Sequence, residues 1–364
     1  MGDVVRTLPA LRLVRDRLPK AYIAWAVEEG SRAILENHPD LDEVLVLERE
    51  ALSRELAAPG SFVSGLARAR RFVQELRRRG FTISLDFQGT LKSALVGLAS
   101  GAPVRAGYDG RSVKESNHLF TNHRIVLPPP PVHRVTRNLA LLRALGVEPI
   151  PGPVPVRLPI DDEDRALADE ALRLANVPPR PYVFLYPGSS ARQAYKRYPI
   201  ARFREVARRL LDQGVEVAVG RGPGEEDLAR ALCEQGPPQA RLLPVTPLRT
   251  MAEIIRRSSL FIGGDTGPMH LAWIQGVPVV ALFGPTDPAL NAPWGPGHIV
   301  LDAAAAGAQP AGGRLRDPSV FDALDPACVA DAALALLARG PCPIDPAPLD
   351  PQPGTTPSTV ARPN

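Results

Sequence analysis

The sequence predicts an α/β protein built from two doubly wound halves, each a parallel sheet flanked by helices. Three observations carry that reading. Apolar strand-like runs alternate with amphipathic helical segments, as in "AYIAWAV", "EVLVL", "GLARARRFVQELRRRG", "FTISLDFQG" and "TLKSALVGLASG", which is the pattern of parallel βαβ units. The same grammar restarts after a Pro-rich stretch, "VEPIPGPVPVRLP". With 364 residues and 45% hydrophobic content, the chain is long enough for two ordinary cores.

Taken in order, the chain begins with "MGDVVRTLPALRLVRDRL", where Gly2-Asp3 reads as a tight turn feeding one amphipathic helix with Val4, Val5, Leu8, Leu11 and Leu13 on its apolar side. A turn of this kind normally follows a buried strand. The expectation is therefore that the natural protein starts about ten residues upstream of Met1, since a sheet without its first strand leaves its neighbours unpaired on a buried edge. The first half closes with the helix "HRVTRNLALLRALG", and the Pro-rich run after it reads as an extended, semi-rigid linker. Then follow "PYVFLYPGSS" (strand and loop), "ARFREVARRLLDQG" (a helix ended by Gly214), "VEVAVGRGPGEEDLARAL" (strand, turn, helix), the helix "TMAEIIRRS", the strand "LFIGG", the helix around "MHLAWIQG" and the strand "VPVVALFG". "DPACVADAALALLARG" reads as a terminal helix, and the Pro-rich, polar stretch 341–364 as a disordered tail. The expected organisation is 1–150 for the first half, 151–180 for linker and connecting helix, and 181–340 for the second half.

Composition excludes several classes. Cys233, Cys328 and Cys342 are scattered and form no CxxC pair, so neither a disulfide framework nor a zinc site is expected, and a reducing cytoplasm fits. No apolar run approaches the roughly 18 residues of a spanning helix, so the chain is expected to be soluble and at most peripheral to a membrane. A net charge of +4 suits an anionic surface or a phosphorylated substrate, but an Arg-rich composition explains it as well. The helix bearing Arg68, Arg70, Arg71, Arg77, Arg78 and Arg79 lacks interleaved aromatics, so a solvated face is favoured over a nucleic-acid arm, with contact to anionic lipid as the minor alternative. "DDED" at 161–164 contains a DxD, which elsewhere chelates a cation. Here it opens a helix, and helix-start acids explain it better.

Chemistry concentrates in the loops after strands. In "FIGGDTGPMHLAWIQG", Asp265, Thr266 and Gly267 open a helix, where free amides and the dipole favour an anion, and His270 lies one turn further on. In "YPGSSARQAYKRYP", Ser189, Ser190 and Lys196 are placed to meet a diphosphate, and Glu225 in "GPGEED" to accept from ribose hydroxyls. Taken singly, capping and solvation explain each of these residues; together they describe a nucleotide-diphosphate pocket.

"GDVVRTLPAL", "LDFQGTLKSAL", "GYDGRSVKESNHLF", "YPGSS…KRYP" and "GDTGPMHLAWIQGVPVVALFGPTDP" stand in the order and spacing of glycosyltransferase family 9, the ADP-heptose:lipopolysaccharide heptosyltransferases, which the chain resembles over about residues 2 to 300. The resemblance implies a GT-B fold: two Rossmann-like domains facing a cleft, the acceptor on the first and the sugar nucleotide on the second, with no required metal or cofactor. It implies an inverting transfer of heptose from ADP-heptose to a lipid-linked lipopolysaccharide core, on the cytoplasmic face of the inner membrane. Another nucleotide sugar, or an inactive nucleotide-binding relative, are the alternatives. By the same resemblance Ser189, Ser190, Lys196, Glu225, Thr246, Asp265, Thr266, Gly267 and His270 hold the donor, Asp3 is the base, and Lys92, Lys114 and Glu115 lie on the acceptor side. Lys114 stands where many members carry Arg, which would turn a bidentate contact into a point charge.

Overall fold

Val5, Leu8, Leu11 and Leu13 are all buried, as their helical spacing requires, but they do not lie on one helix. A continuous helix would need the nitrogen of Pro9 to donate to the Val5 carbonyl, and proline has no N–H. The expected single helix is therefore two, α1 (Gly2–Val5) and α2 (Leu8–Arg17), with Arg6 and Thr7 at the break. The Thr7 hydroxyl donates to the Asp3 carbonyl at 2.8 Å and stitches the break together. The computed structural model describes residues 1–58, 60–110, 113, 115–150, 152–234, 240–307 and 317–340. Lys114, part of the linker at Pro151 and the expected tail 341–364 lie outside the described residues.

The first half forms two parallel ladders. β1 (Ala24–Glu28) pairs with β2 (Glu43–Leu47), while β3 (Ile83–Leu85), β4 (Val104–Tyr108) and β5 (His123–Ile125) form the other. Among the described residues no ladder joins β1 to β3; Val27 of β1 and Leu85 of β3 instead meet the same apolar cluster as Leu8 and Leu11. Around these ladders run α3 (Arg49–Ala57), α4 (Phe62–Arg78), α5 (Leu91–Ala99) and α6 (Arg134–Leu141).

Beyond the linker, α7 (Asp162–Leu174) starts at a capping box in which Asp161 and Asp164 cap each other's amides, and both carboxylates also meet Arg249. Helix-start acids are thus what "DDED" supplies. The second half is a six-stranded parallel sheet in the order β11-β10-β9-β6-β7-β8. In chain order it reads β6 (Tyr182–Tyr186), α8 (Ile200–Asp212), β7 (Glu216–Val219), α9 (Glu226–Glu234), β8 (Arg241–Leu242), α10 (Leu248–Arg256), β9 (Leu260–Gly264), α11 (Gly267–Ile274), β10 (Val279–Phe283), α12 (Pro288–Asn291), β11 (His298–Asp302) and α13 (Pro326–Arg339). β6, β9 and β10 are buried along their whole length, as continuous apolar runs in a parallel sheet should be.

The strand order reverses between β6 and β9, so their carboxyl-terminal loops lie side by side, and the crevice at such a switch point is where doubly wound sheets take ligands. One face of the sheet, through Phe184, Phe261 and Ala281, joins an apolar cluster that also contains Leu11 and Leu139 of the first half. The other face packs under α8, α9 and α13. The terminal helix does not join the apolar cluster that contains the first half. Instead Val329, Ala333 and Leu336 of α13 lie against Phe203, Val206 and Leu210 of α8, because α13's apolar stripe covers sheet surface that would otherwise face water.

Gly220, just past β7, allows the Phe184 ring into the core: a Cβ there would stand 2.2 Å from Phe184 Cζ. Gly220→Ala is therefore expected to lower the stability of the protein by about 1–3 kcal/mol in urea unfolding through overpacking. Phe184→Leu in the same chain should recover part of that loss, and equal, additive effects of the two changes would contradict the contact.

Candidate functional site

The loop after β9 buries a carboxylate. Asp265 is 6% exposed, and two cations or donors answer it: Lys196 Nζ, from the loop after β6, stands 3.2 Å from Oδ2, and His270 Nε2, from α11, stands 3.6 Å from Oδ1. Burial pushes the Asp265 pKa up, but the His270 contact and the Lys196 and Arg6 charges outweigh it and bring it down to about 2. For His270 burial dominates, with Arg6 adding to it, and lowers the pKa to about 4, so the ring is neutral at pH 7.

The histidine tautomer follows from its neighbours. Trp273 Nε1–H donates to His270 Nδ1 at 2.9 Å, so the ring proton sits on Nε2 and faces Asp265. Arg6 Nη1 lies 3.1 Å from that same Nε2. Two donors cannot bond one another, so this approach is a close contact. The acceptor for Arg6 Nη1 is Asn291 Oδ1, at 2.8 Å.

Arg6 leads across the cleft to the first half. Its Nη2 donates to Asp3 Oδ1 at 2.6 Å. The segment carrying both residues is tied down from beneath: Asn138 Nδ2 donates to Thr7 Oγ1 at 2.9 Å and to the Arg6 carbonyl at 3.2 Å, and the Tyr108 hydroxyl donates to Asn138 Oδ1. Gly2 permits this approach, since a Cβ there would stand 3.2 Å from His270 Cδ2. Asp3 itself is open to the cleft, its side chain 74% exposed. Crowding by the surrounding protein works to raise its pKa, but the charge and hydrogen bond of Arg6, helped by Arg134 and the Met1 amino group, leave it below the usual carboxylate range.

Arg134 and Arg137, on α6, extend a cationic wall beside Asp3. Burial and the like charges of Arg137 and Arg6 lower the Arg134 pKa, and the Arg137 guanidinium lies 4.0 Å over the Tyr108 ring. The Nε atoms of Arg6, Arg134 and Arg137 have no hydrogen-bond partner. A second bridge between the halves runs from His133 at the start of α6, which stacks on Trp294 and whose Nε2–H donates to the Ala292 carbonyl at 3.0 Å.

The structure thus joins Asp3, Lys196, Asp265 and His270 in one network, with Thr266 and Gly267 at the mouth of α11. Thr266 stands at the N-cap position, but its hydroxyl turns back to the Gly264 carbonyl at 3.3 Å and leaves the first amides of α11 uncapped. A neighbouring group holds Ser189 and Glu225. Ser189 is buried and structural in its contacts, donating to the Gln193 carbonyl and accepting from Arg197 Nε, while Ser190 is exposed. Glu225 Oε2 accepts from the Tyr186 hydroxyl at 2.5 Å and the Gly222 amide at 2.9 Å, and Gly188 leaves room for it. Thr246 lies in the loop between β8 and α10. Lys92 and Glu115 come together at the start of α5: Lys92 is exposed on its first turn, and Glu115 Oε2 accepts from the Leu91 amide at 2.7 Å, so Glu115 serves that helix terminus.

Arg6, Asn291, Arg134 and Arg197 were not singled out in the sequence. Arg6 had one signal, its place on the loop of Asp3; the others become visible only through contacts distant in the chain. Among the described residues, no group of three or more His, Cys, Asp or Glu side chains is placed to hold a metal ion.

The profile of glycosyltransferase family 9 (heptosyltransferase) matches residues 69–315. Lipopolysaccharide heptosyltransferase 1 of Pseudomonas aeruginosa is 30% identical over 304 residues, covering 83% of this chain and 81% of the relative. The enzyme of the same name from Escherichia coli K12 is 29% identical over 309 residues, covering 83% and 91%. Among solved structures, a family 9 glycosyltransferase from Veillonella parvula superposes with a TM-score of 0.75 at 23% identity, over 93% of this chain and 94% of that one. Escherichia coli heptosyltransferase WaaC with ADP gives 0.72 at 23% identity, over 92% and 96%. These likenesses establish the GT-B arrangement of two Rossmann-like units.

The acid response of the network follows from its charges. His270 is neutral in the fold but titrates near 6.5 once unfolded, so its contribution is present above that pH and fades as pH falls toward 4. Between pH 7 and pH 5 it should account for roughly 2 kcal/mol of lost stability. Urea unfolding at the two pH values checks this: His270→Gln should show a smaller loss on acidification than the wild type, and an identical loss would contradict the assignment.

Proposed function

The chain belongs to glycosyltransferase family 9, and from that premise we propose that it moves a heptose from ADP-heptose to a lipopolysaccharide core acceptor with inversion, using Asp3 as the base. The observation that carries this reading is the Asp3-to-Asp265 network, which sets one carboxylate of the first half against the anion-binding loops of the second. Asp3 Oδ1 is committed to Arg6, which leaves Oδ2 for the acceptor hydroxyl. As the new C–O bond forms, that oxygen takes the hydroxyl proton, and the bond from the anomeric carbon to the diphosphate breaks. The departing ADP carries the negative charge. Lys196, with donors to spare beyond Asp265, and the uncapped amides of α11 are suited to stabilise it without a metal. Glu225, its Oε2 held by Tyr186 and Gly222, is suited to accept from ribose hydroxyls. The cations of Arg134 and Arg137 suit an acidic glycolipid, with Lys92 and Glu115 at the start of α5 on the acceptor side and Lys114 assigned there by resemblance alone.

This reading also gives the first half a lipid-facing surface. α4 exposes Phe62, Val63 and Leu66 beside Arg70, Arg71, Arg77 and Arg78, and the adjoining α5 exposes Leu95 and Leu98. Exposed apolar side chains followed along the same helix by arginines suit peripheral contact with an anionic leaflet. No helix among the described residues is long and apolar enough to cross a membrane. A place on the cytoplasmic face of the inner membrane fits both features.

Two experiments test the proposal. In a thermal-shift series, ADP-heptose should stabilise the protein more than UDP- or GDP-sugars do, and Asp3→Asn should keep that shift while losing about 10²–10⁴-fold in transfer. Near-normal turnover by Asp3→Asn would remove it as base, and preference for a uridine or guanosine sugar would replace the donor. In co-sedimentation, vesicles containing anionic lipid should bind the protein at low salt and release it at high salt. Equal recovery in the supernatant with and without vesicles would contradict the lipid-facing surface.

A further inference from the structure

Arg6 is one of the most heavily committed side chains in the cleft. It is 9% exposed, yet it belongs to a short turn at the cleft margin, and its guanidinium reaches three residues. On its own half it meets Asp3 through Nη2; on the other it meets Asn291 through Nη1 and presses on His270. A plain surface pair between residues three apart would be worth a few tenths of a kcal/mol and would need neither burial nor a partner 285 residues away. The fold also leaves Arg6 Nε buried without a partner, a cost that stability alone does not explain.

We propose that Arg6 is a positioning residue for the transfer: its planar fork fixes the direction of the Asp3 carboxylate and, through Asn291, ties that carboxylate to the half that holds the sugar nucleotide. This rests on the reading of Asp3 as base. An arginine suits the task because its two terminal nitrogens bond two different acceptors in one plane, so Asp3 and Asn291 are set at a constant separation. Asp3 keeps Oδ1 on Arg6 and the rest of its side chain exposed; losing Asn291 frees one arm of the fork and with it the aim of the base. The charged and titratable groups facing Asp3 are Arg6, Arg134 on α6, the Met1 amino group and His270 on α11. Of these, Arg6 alone bonds to the carboxylate and has the largest lowering effect on it.

The test compares Arg6→Gln, Arg6→Lys and Asn291→Ala in the full chain. Carbon-13 NMR of aspartate carboxyls, with Asp3→Asn identifying the signal, reads the Asp3 titration directly; steady-state rates across pH read the acid limb of kcat; calorimetry with ADP reads the donor site. Arg6→Gln should move both the Asp3 midpoint and the acid limb to higher pH and lower kcat about 10- to 100-fold. Arg6→Lys keeps the charge, so the midpoint should stay low while kcat still falls, since a point charge cannot hold both acceptors. Asn291→Ala should lower kcat with the acid limb unmoved. ADP affinity should stay within about threefold throughout, which separates misaligned catalysis from a damaged donor site. An Asp3 midpoint unchanged in Arg6→Gln, or kcat within twofold of the wild type in both Arg6 variants, overturns the proposal. Full activity in Asp3→Asn defeats the base assignment separately, while the NMR midpoint still decides whether Arg6 governs Asp3.

Discussion

A buried carboxylate organises this cleft. Asp265 has been taken out of water at the carboxyl end of β9, where an isolated charge is expensive, and the surrounding chain is arranged to answer it. Lys196 comes from the loop after β6 and His270 from α11, so three segments converge on one side chain. Removing Lys196 would leave a buried charge with a neutral partner, a change that typically costs about 3–5 kcal/mol. Such a pair is a poor way to gain stability, because desolvation consumes most of the attraction. It is a good way to hold a lysine ammonium at a helix mouth before any ligand arrives, and preorganised charge is what the departure of a diphosphate requires.

From that centre the constraint passes outward through the tautomer of one imidazole. Trp273 takes the Nδ1 side of His270, which leaves Nε2–H for Asp265 and denies Arg6 an acceptor there. Arg6 turns its proton to Asn291 instead, and its other arm to Asp3. Asp3 is therefore linked, contact by contact, to the loop of Asp265. His133 and Trp294 reinforce the same junction, so both bridges between the halves land on residues 291–294.

Much of this architecture was legible in the sequence, for physical reasons. Continuous apolar runs such as "YVFLY" and "VVALF" read as buried strands of a parallel sheet, and loops after such strands lie at one edge, so Lys196, Glu225, Asp265 and His270 could be assigned to that edge from pattern and resemblance together. What escaped notice depends on contacts that no local pattern encodes. Pro9 splits a helix that apolar spacing draws as continuous. Ser189, expected to meet a diphosphate, also accepts from Arg197 Nε, and Glu115 also serves the terminus of α5. The apolar stripe of α13 does not by itself name its partner, which is α8 and the sheet face beside it. Asn291 and Arg6 are unremarkable until the halves are brought together.

The transfer proposed for this cleft is a single displacement: one carboxylate takes a proton from the acceptor while the diphosphate leaves from the opposite face of the sugar. The most direct test is the anomeric configuration of the new linkage, read from one-bond carbon–proton coupling in the NMR spectrum of the isolated product and compared with that of the donor. Inversion is the expected result. Retention of the donor's configuration would contradict it, since retention requires a second displacement that Asp3 acting as a base does not provide.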